Sequence, residues 1–273
     1  MRYPAIILLI ILAAVPVYGY DFEAGRISGM AGSIMLSNPS ATDLISCPVI
    51  LPEAGRIVFE TGYQRKFELS DLDRVYAAAG YRYRGLSTSL GFSQFGRSGY
   101  YTEQLIKSSL VFNYRWFSLG VGGGVKLVEI GEVERKYSLS AVGIDLAAGF
   151  KYKVFHAAAI AENINRPRLD ENAPADQPVY SIYGEIEGSA DFSVVGKVAF
   201  EKYEKPRLSI GQYIRIMNDN ALFWGVSNNP LTYGGGVEIK YSMFGLMYAV
   251  SYHPVLGFTH NISLNFLSGE ILK

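Results

Sequence analysis

What most constrains this chain is a two-residue alternation that persists from Gly55 almost to the C-terminus. Large apolar residues alternate with small or polar ones over stretches of about ten to fifteen residues, with turn residues between them, which is strand periodicity. Leu231, Tyr233, Val237, Ile239 and Tyr241 fall on one face, and Thr232, Gly234, Gly236, Glu238 and Lys240 on the other. Phe258, His260, Ile262, Leu264 and Phe266 oppose Gly257, Thr259, Asn261, Ser263 and Asn265. Phe192, Val194, Val198 and Phe200 oppose Asp191, Ser193, Lys197 and Glu201. No apolar stripe at helical spacing competes with this pattern.

About fourteen such segments are predicted, an even number that suits bacterial membrane barrels. They run near 56–67, 74–84, 85–95, 101–114, 116–130, 137–152, 154–164, 178–188, 190–203, 206–217, 220–228, 231–242, 244–253 and 257–267. Every second link is short: Arg84-Gly85, Arg115, Lys153, Gly188-Ser189, Asn218-Asp219 and Ser242-Met243. The intervening links, 68–73, 96–100, 131–136 and 165–177, are expected to be longer, whereas those at Pro206, Pro230 and Pro254 are nearly as tight as the turns. Tight turns at one end and longer loops at the other are a membrane-barrel trait.

A soluble sandwich or propeller shares the alternation, but its second face is solvated and rich in Lys and Glu. Here that face is mostly Gly, Ser, Ala, Thr and Asn, as in Ser118, Gly120, Gly122 and Gly124. Small inward residues suit a narrow barrel that curves tightly or approaches a plug. Aromatics gather near segment ends (Tyr81, Tyr83, Tyr100, Tyr101, Tyr114, Trp116, Phe117, Tyr152, Phe155, Tyr203, Tyr241, Phe244 and Tyr252), as an interfacial girdle would, although β propensity alone also enriches them. The expected fold is all-β: a closed antiparallel transmembrane β-barrel of about fourteen strands with a short N-terminal plug-like segment.

The expected division is a signal peptide over 1–19, a plug-like segment over 20–54, the barrel over 55–267 and a tail over 268–273. Residues 1–19 carry Arg2, an apolar run over 5–15, Pro16 and then Val17-Tyr18-Gly19. The run is short for a membrane span and suits a cleaved export signal, with a retained anchor as the alternative. Exported bacterial barrels of this kind reside in the outer membrane. Residues 21–54 do not alternate. A Gly-rich stretch leads to Asn38-Pro39-Ser40-Ala41-Thr42-Asp43, a turn and helix N-cap ahead of Leu44-Ile45, and Pro48 ends the run. A short helix in the barrel mouth or lumen is expected; a periplasmic tail is the alternative.

With 25 Lys+Arg against 25 Asp+Glu there is no basic excess to hold nucleic acid. One cysteine makes neither an internal disulfide nor a cysteine-rich zinc site. His156, His253 and His260 have no partner at metal-ligand spacing, and no cofactor is expected. Ser251 and His253 share a strand face but lie too far apart along an extended strand for a direct hydrogen bond. Gly91-Phe92-Ser93-Gln94-Phe95 lacks the final glycine of a nucleophile elbow. A barrel-wall lipid hydrolase is therefore a minor alternative to a non-enzymatic barrel. Gly120-Val121-Gly122-Gly123-Gly124 lacks the Lys and helix of a phosphate loop and reads as strand glycines. Asp145, Glu162, Glu185, Glu187, Lys197, Glu201, Arg215, Glu238 and Lys240 are assigned to the lumen or rims, because a lipid-facing charge is costly.

Arg26, Gly29, Met30 and Gly32, followed by Asn38-Pro39-Ser40-Ala41 and then Cys47-Pro48-Val49-Ile50-Leu51, resemble the elements that precede the first strand in outer-membrane barrels of the FadL-like superfamily. Glu162-Asn163-Ile164-Asn165-Arg166-Pro167 resembles an Asn-x-Asn-x-Pro element of that superfamily's PorV/PorQ-type branch. In this chain Ala31 stands where a glycine is usual, and the third element lacks its Asn and Gly. The resemblance implies a fourteen-stranded barrel in outer-membrane lipid that passes hydrophobic small molecules or works with a secretion-machinery protein. It makes Arg26, Gly29, Met30, Gly32, Asn38, Pro39, Ser40 and Pro48 candidates for holding or gating the plug. Arg166, Arg168, Asp170 and Glu171, in the longest loop, are candidates for outer recognition.

Overall fold

The computed structural model describes residues 22, 24–50, 57–132, 135–171, 173–189, 191–217 and 220–268. The expected leader over 1–19 lies outside them. Fourteen strands close into one antiparallel barrel. They are β1 Ile57–Arg65, β2 Asp73–Tyr83, β3 Leu86–Arg97, β4 Tyr101–Tyr114, β5 Phe117–Glu132, β6 Arg135–Tyr152, β7 Phe155–Glu162, β8 Val179–Ser189, β9 Phe192–Glu201, β10 Arg207–Arg215, β11 Ala221–Ser227, β12 Thr232–Tyr241, β13 Phe244–His253 and β14 Gly257–Leu267. The ring closes where β1 pairs with β14, from Val58 opposite Leu267 to Arg65 opposite His260. Closure leaves no free edge, which a sheet immersed in lipid requires.

The alternation resolves into two environments. Leu119 is 64% exposed and Leu264 58%, on the outer wall, whereas Val195 and Ala249 are 0% exposed on the inner one. Leu90, Ile182, Ile210, Phe244 and their kind cover the exterior, and the interior holds Ser, Gly, Ala and the charges. An apolar exterior of this extent has no counterpart on a soluble monomer. The single closed ring also removes the sandwich alternative, because the bulky side chains point away from the interior instead of forming a core between two sheets. The barrel is a transmembrane one.

The entry to β1, the exit from β14 and the turns β2–β3, β4–β5, β6–β7, β8–β9, β10–β11 and β12–β13 lie at one end. Loop length alternates less than the sequence implies. The links expected over 96–100 and 131–136 contract, because β3 continues to Arg97 and the β5–β6 ladder extends to Glu132 opposite Arg135. Gly96 and Gly131 end no strand there, since a partner backbone is within reach. Long connections remain at 66–72, which carries two 3-10 turns, and at 163–178.

Inside the barrel lie two short helices, α1 Gly25–Gly29 and α2 Ala41–Ser46. The second is the one expected after Asn38-Pro39; Ser40 caps it, with Ser40 and Asp43 forming a reciprocal capping box. Nothing in the local sequence predicts the first helix, because two glycines in five residues give poor helix propensity. It forms against the wall, where α1 packs on β11–β14 and α2 on β1–β4.

Candidate functional site in the plugged lumen

Described residues 22 to 50 fill the lumen, and their contacts explain the first two motif elements. Arg26 donates to the Asn38 carbonyl at 2.5 Å and to Asp43 Oδ2 at 2.6 Å, tying α1 to the capped turn of α2. Its guanidinium stands 5.3 Å from the centre of the Tyr213 ring. Burial works against the Arg26 charge, but Asp43, with Glu238 behind it, raises its pKa and keeps it protonated. Ser40 N–H donates to Asp43 Oδ2 at 2.8 Å, so one carboxylate serves both the cap and the ion pair.

The wall holds the plug through carboxylates at its own buried positions. Thr42 donates to Glu60 Oε2 from its backbone at 3.2 Å and from its hydroxyl at 2.9 Å. The single Tyr76 hydroxyl lies 3.0 Å from Asn261 Oδ1 and 3.4 Å from Glu60 Oε1, within donating reach of either. On β8, Glu185 accepts from Leu36 N at 2.5 Å, from Ser37 N at 3.0 Å and from the Ser37 hydroxyl. Tyr213 donates to Glu238 Oε2 at 3.4 Å.

Close backbone approach explains the small residues of the inner face. A Cβ on Gly120 would lie 1.4 Å from the Pro48 carbonyl oxygen, and one on Gly225 would lie 2.4 Å from that of Met30. Gly120 belongs to the glycine-rich stretch of β5, and Gly122, two residues on, also faces Pro48, at 3.5 Å from an added Cβ. Met30 packs with Met35, Val195, Tyr213, Phe223 and Met247 in an apolar cluster inside the barrel. Gly29 abuts the Phe223 ring, and Gly32 takes a φ of 88° after the first helix. Arg26, Gly29, Met30, Gly32, Asn38, Pro39, Ser40 and Pro48 thus all lie in the plug.

Two lysines buried on the inner wall are held by carboxylates. Lys107 Nζ lies 2.9 Å from Asp145 and 3.6 Å from Glu162, and Lys126 lies 3.2 Å from Glu103. The link from β7 to β8 reaches both groups: Asn163 N–H donates to Asp145 Oδ1 at 2.9 Å, and Asp176 lies near Lys126 and Glu103. Leu169 packs against the interior cluster, and Pro167 is buried. Burial pushes the Asp176 carboxyl above the usual carboxylate range, while nearby Lys126 pulls it down. Arg166, Arg168, Asp170 and Glu171 remain exposed on the outer side of the loop. The Asn-x-Asn-x-Pro element has a local role: Asn165 receives the Ile144 N–H at 3.0 Å and donates to the Val142 carbonyl at 2.7 Å. It satisfies the edge of β6 where that strand outruns β7.

The histidines stand apart from one another. His253 Nδ1 accepts from Val255 N and Leu256 N, each at 3.2 Å. His260 Nδ1 lies 2.7 Å from the Tyr248 hydroxyl, and His156 Nε2 lies 3.4 Å from Glu187. Ser251 Oγ sits 3.4 Å from Ser28 Oγ instead of meeting a histidine. Among the described residues no cluster of His, Cys, Asp and Glu is placed to hold a metal ion.

Sequence reasoning placed Glu185 and Glu238 inside but missed Glu60, Lys107 and Lys126. Their signal was available: each is a charge on the small-residue face of its strand. The geometry defines a class, a transmembrane β-barrel of the outer-membrane type whose lumen is filled by its own N-terminal segment.

No family model matches the chain, and no curated protein does. Among solved structures it is similar to engineered variants of the porin of Rhodopseudomonas blastica. A double variant and a triple variant are each 10% identical to it, with 78% of this chain and 99% of the porin covered and a TM-score of 0.44.

Proposed function

We propose that the chain is an outer-membrane barrel of the PorV/PorQ type within the FadL-like superfamily, exported on a cleaved leader, and that it supports protein secretion or surface attachment without conducting solutes. The observation that carries this reading is the anchored plug. Withdrawing it would take the Thr42 bonds from Glu60, leaving it only Tyr76, and the Leu36 and Ser37 bonds from Glu185, and would expose an interior shaped around the plug backbone; under-satisfied buried carboxylates are costly. A plug held this way serves better as a permanent filling than as a gate.

Deleting the gene tests the reading. Secreted or surface-attached proteins should accumulate in the periplasm while fatty-acid uptake continues unchanged. The purified full chain should give no liposome swelling. Lost uptake with normal secretion would overturn the reading.

The second reading, passage of hydrophobic small molecules, draws on the apolar cluster around Met30, Met35, Met247 and Phe223. Methionines repack readily around apolar ligands. In that case removal of residues 21–54 changes uptake, and Met247→Ala changes its selectivity.

A further inference from the structure

We propose that the short-turn rim over β2–β7 is a binding edge for the headgroups of anionic phospholipids. Three successive turns at that end repeat one arrangement. Arg84 lies over the Tyr83 ring at 5.1 Å, Arg115 over Tyr114 at 5.3 Å and Lys153 over Tyr152 at 5.4 Å. Successive turns stand two strands apart, so the cations line up at intervals of roughly 10 Å.

Each of these residues takes a left-handed backbone, with φ of 54°, 55° and 52°. A Cβ crowds the backbone there, and Gly or Asn fits more easily. Ser242 takes φ 56° after Tyr241 in the β12–β13 turn, so this turn conformation does not require a cation. Backbone preference is set aside three times in a row for a basic side chain, and such outliers point to function. Among the described residues no carboxylate pairs with any of the three.

An aromatic and aliphatic belt lies beside the cations. Leu86, Trp116, Phe117, Val154 and Phe155 are exposed on the outer wall, and Trp116 meets Tyr152 edge-on at 5.6 Å. Amphipathic rings hold the depth of a headgroup region, and guanidinium and ammonium groups at that depth meet lipid phosphates. The same end carries Glu187 and Asp191 at the β8–β9 turn, so the basic edge covers only part of the circumference.

The chain has two tryptophans, which provide the probe and its control. Trp116 lies in the edge, and Trp224 faces outward from β11 on another part of the wall. The full chain with Trp224→Phe is reconstituted in phosphatidylcholine vesicles that contain a minor fraction of lipid brominated near the headgroup. That lipid is either phosphatidylglycerol or phosphatidylcholine. Phosphatidylglycerol should associate roughly threefold or more in preference at Trp116, with the preference falling as salt is raised.

With Trp116→Phe, Trp224 should report a ratio near one. Replacing Arg84, Arg115 and Lys153 together by Gln should bring the Trp116 ratio to one. Gly at the same three positions removes the charges and eases the backbone, so it serves as the fold-preserving control. A ratio of one in the parent protein, or a preference that survives both triple replacements, would overturn the proposal.

Discussion

Arg26 and Asp43 meet at 2.6 Å in the middle of the lumen, and through this pair the two plug helices become one unit. Both side chains are almost fully buried. Removing one partner of such a pair leaves a charge without compensation, at a cost of about 3–5 kcal/mol. Arg26→Ala should release the plug while the barrel persists. Hydrogen exchange across residues 22–50 should accelerate, and the heat-modifiable gel mobility of the folded barrel should stay the same. Unchanged exchange would show that the pair does not hold the plug.

Cys47 reports the same event chemically. It is fully buried, and burial pushes its thiol pKa well above the ordinary range, so almost no thiolate is present at neutral or mildly alkaline pH. The folded parent should resist maleimide, and Arg26→Ala should label at least tenfold faster, since opening rates scale with the free energy lost. Mass spectrometry of the intact chain follows both.

Wall glycines separate by the face they occupy. Gly120→Val should displace the plug, because its Cβ would land on the Pro48 carbonyl. Gly184→Ala, on the outer face with nothing within 4 Å, should be nearly neutral, within about 0.5 kcal/mol. Urea unfolding in vesicles distinguishes the two, and equal effects would contradict the assigned faces.

The outer wall gives the test of membrane orientation. Ile210→Arg places a charge in lipid near the middle of β10 and should cost about 2–4 kcal/mol. Asp at Ser209, one residue along on the inner face, should not show the same dependence on bilayer thickness. Folding titrations in bilayers of two thicknesses measure both.

Asp176 links the 163–178 loop to pH. Its carboxyl is raised in the folded protein by burial, so the folded state binds the proton more tightly than the free loop does. The associated stability is fully present below the ordinary Asp pKa and is lost as pH rises through the raised value. Protection of the loop amides, measured against their intrinsic exchange rate at each pH, should therefore be greater at acid than at neutral pH, and Asp176→Asn should remove that difference.

The sequence determined how many strands there are and which side of each faces lipid. Leu119 outward and Ser118 inward can be read directly, because a strand turns successive side chains to opposite faces and lipid accepts only one kind. Ser40 as the cap of α2 was equally legible, since capping is local chemistry within four residues. The tertiary structure alone decided what the inner face does. Glu185 finds Leu36 from 149 residues away along the chain, and Gly120 admits the Pro48 carbonyl only once the ring has closed. No spacing rule encodes such partners. They follow from the finite bore of a closed barrel, where charges withdrawn from lipid must be satisfied by whatever else the chain places inside.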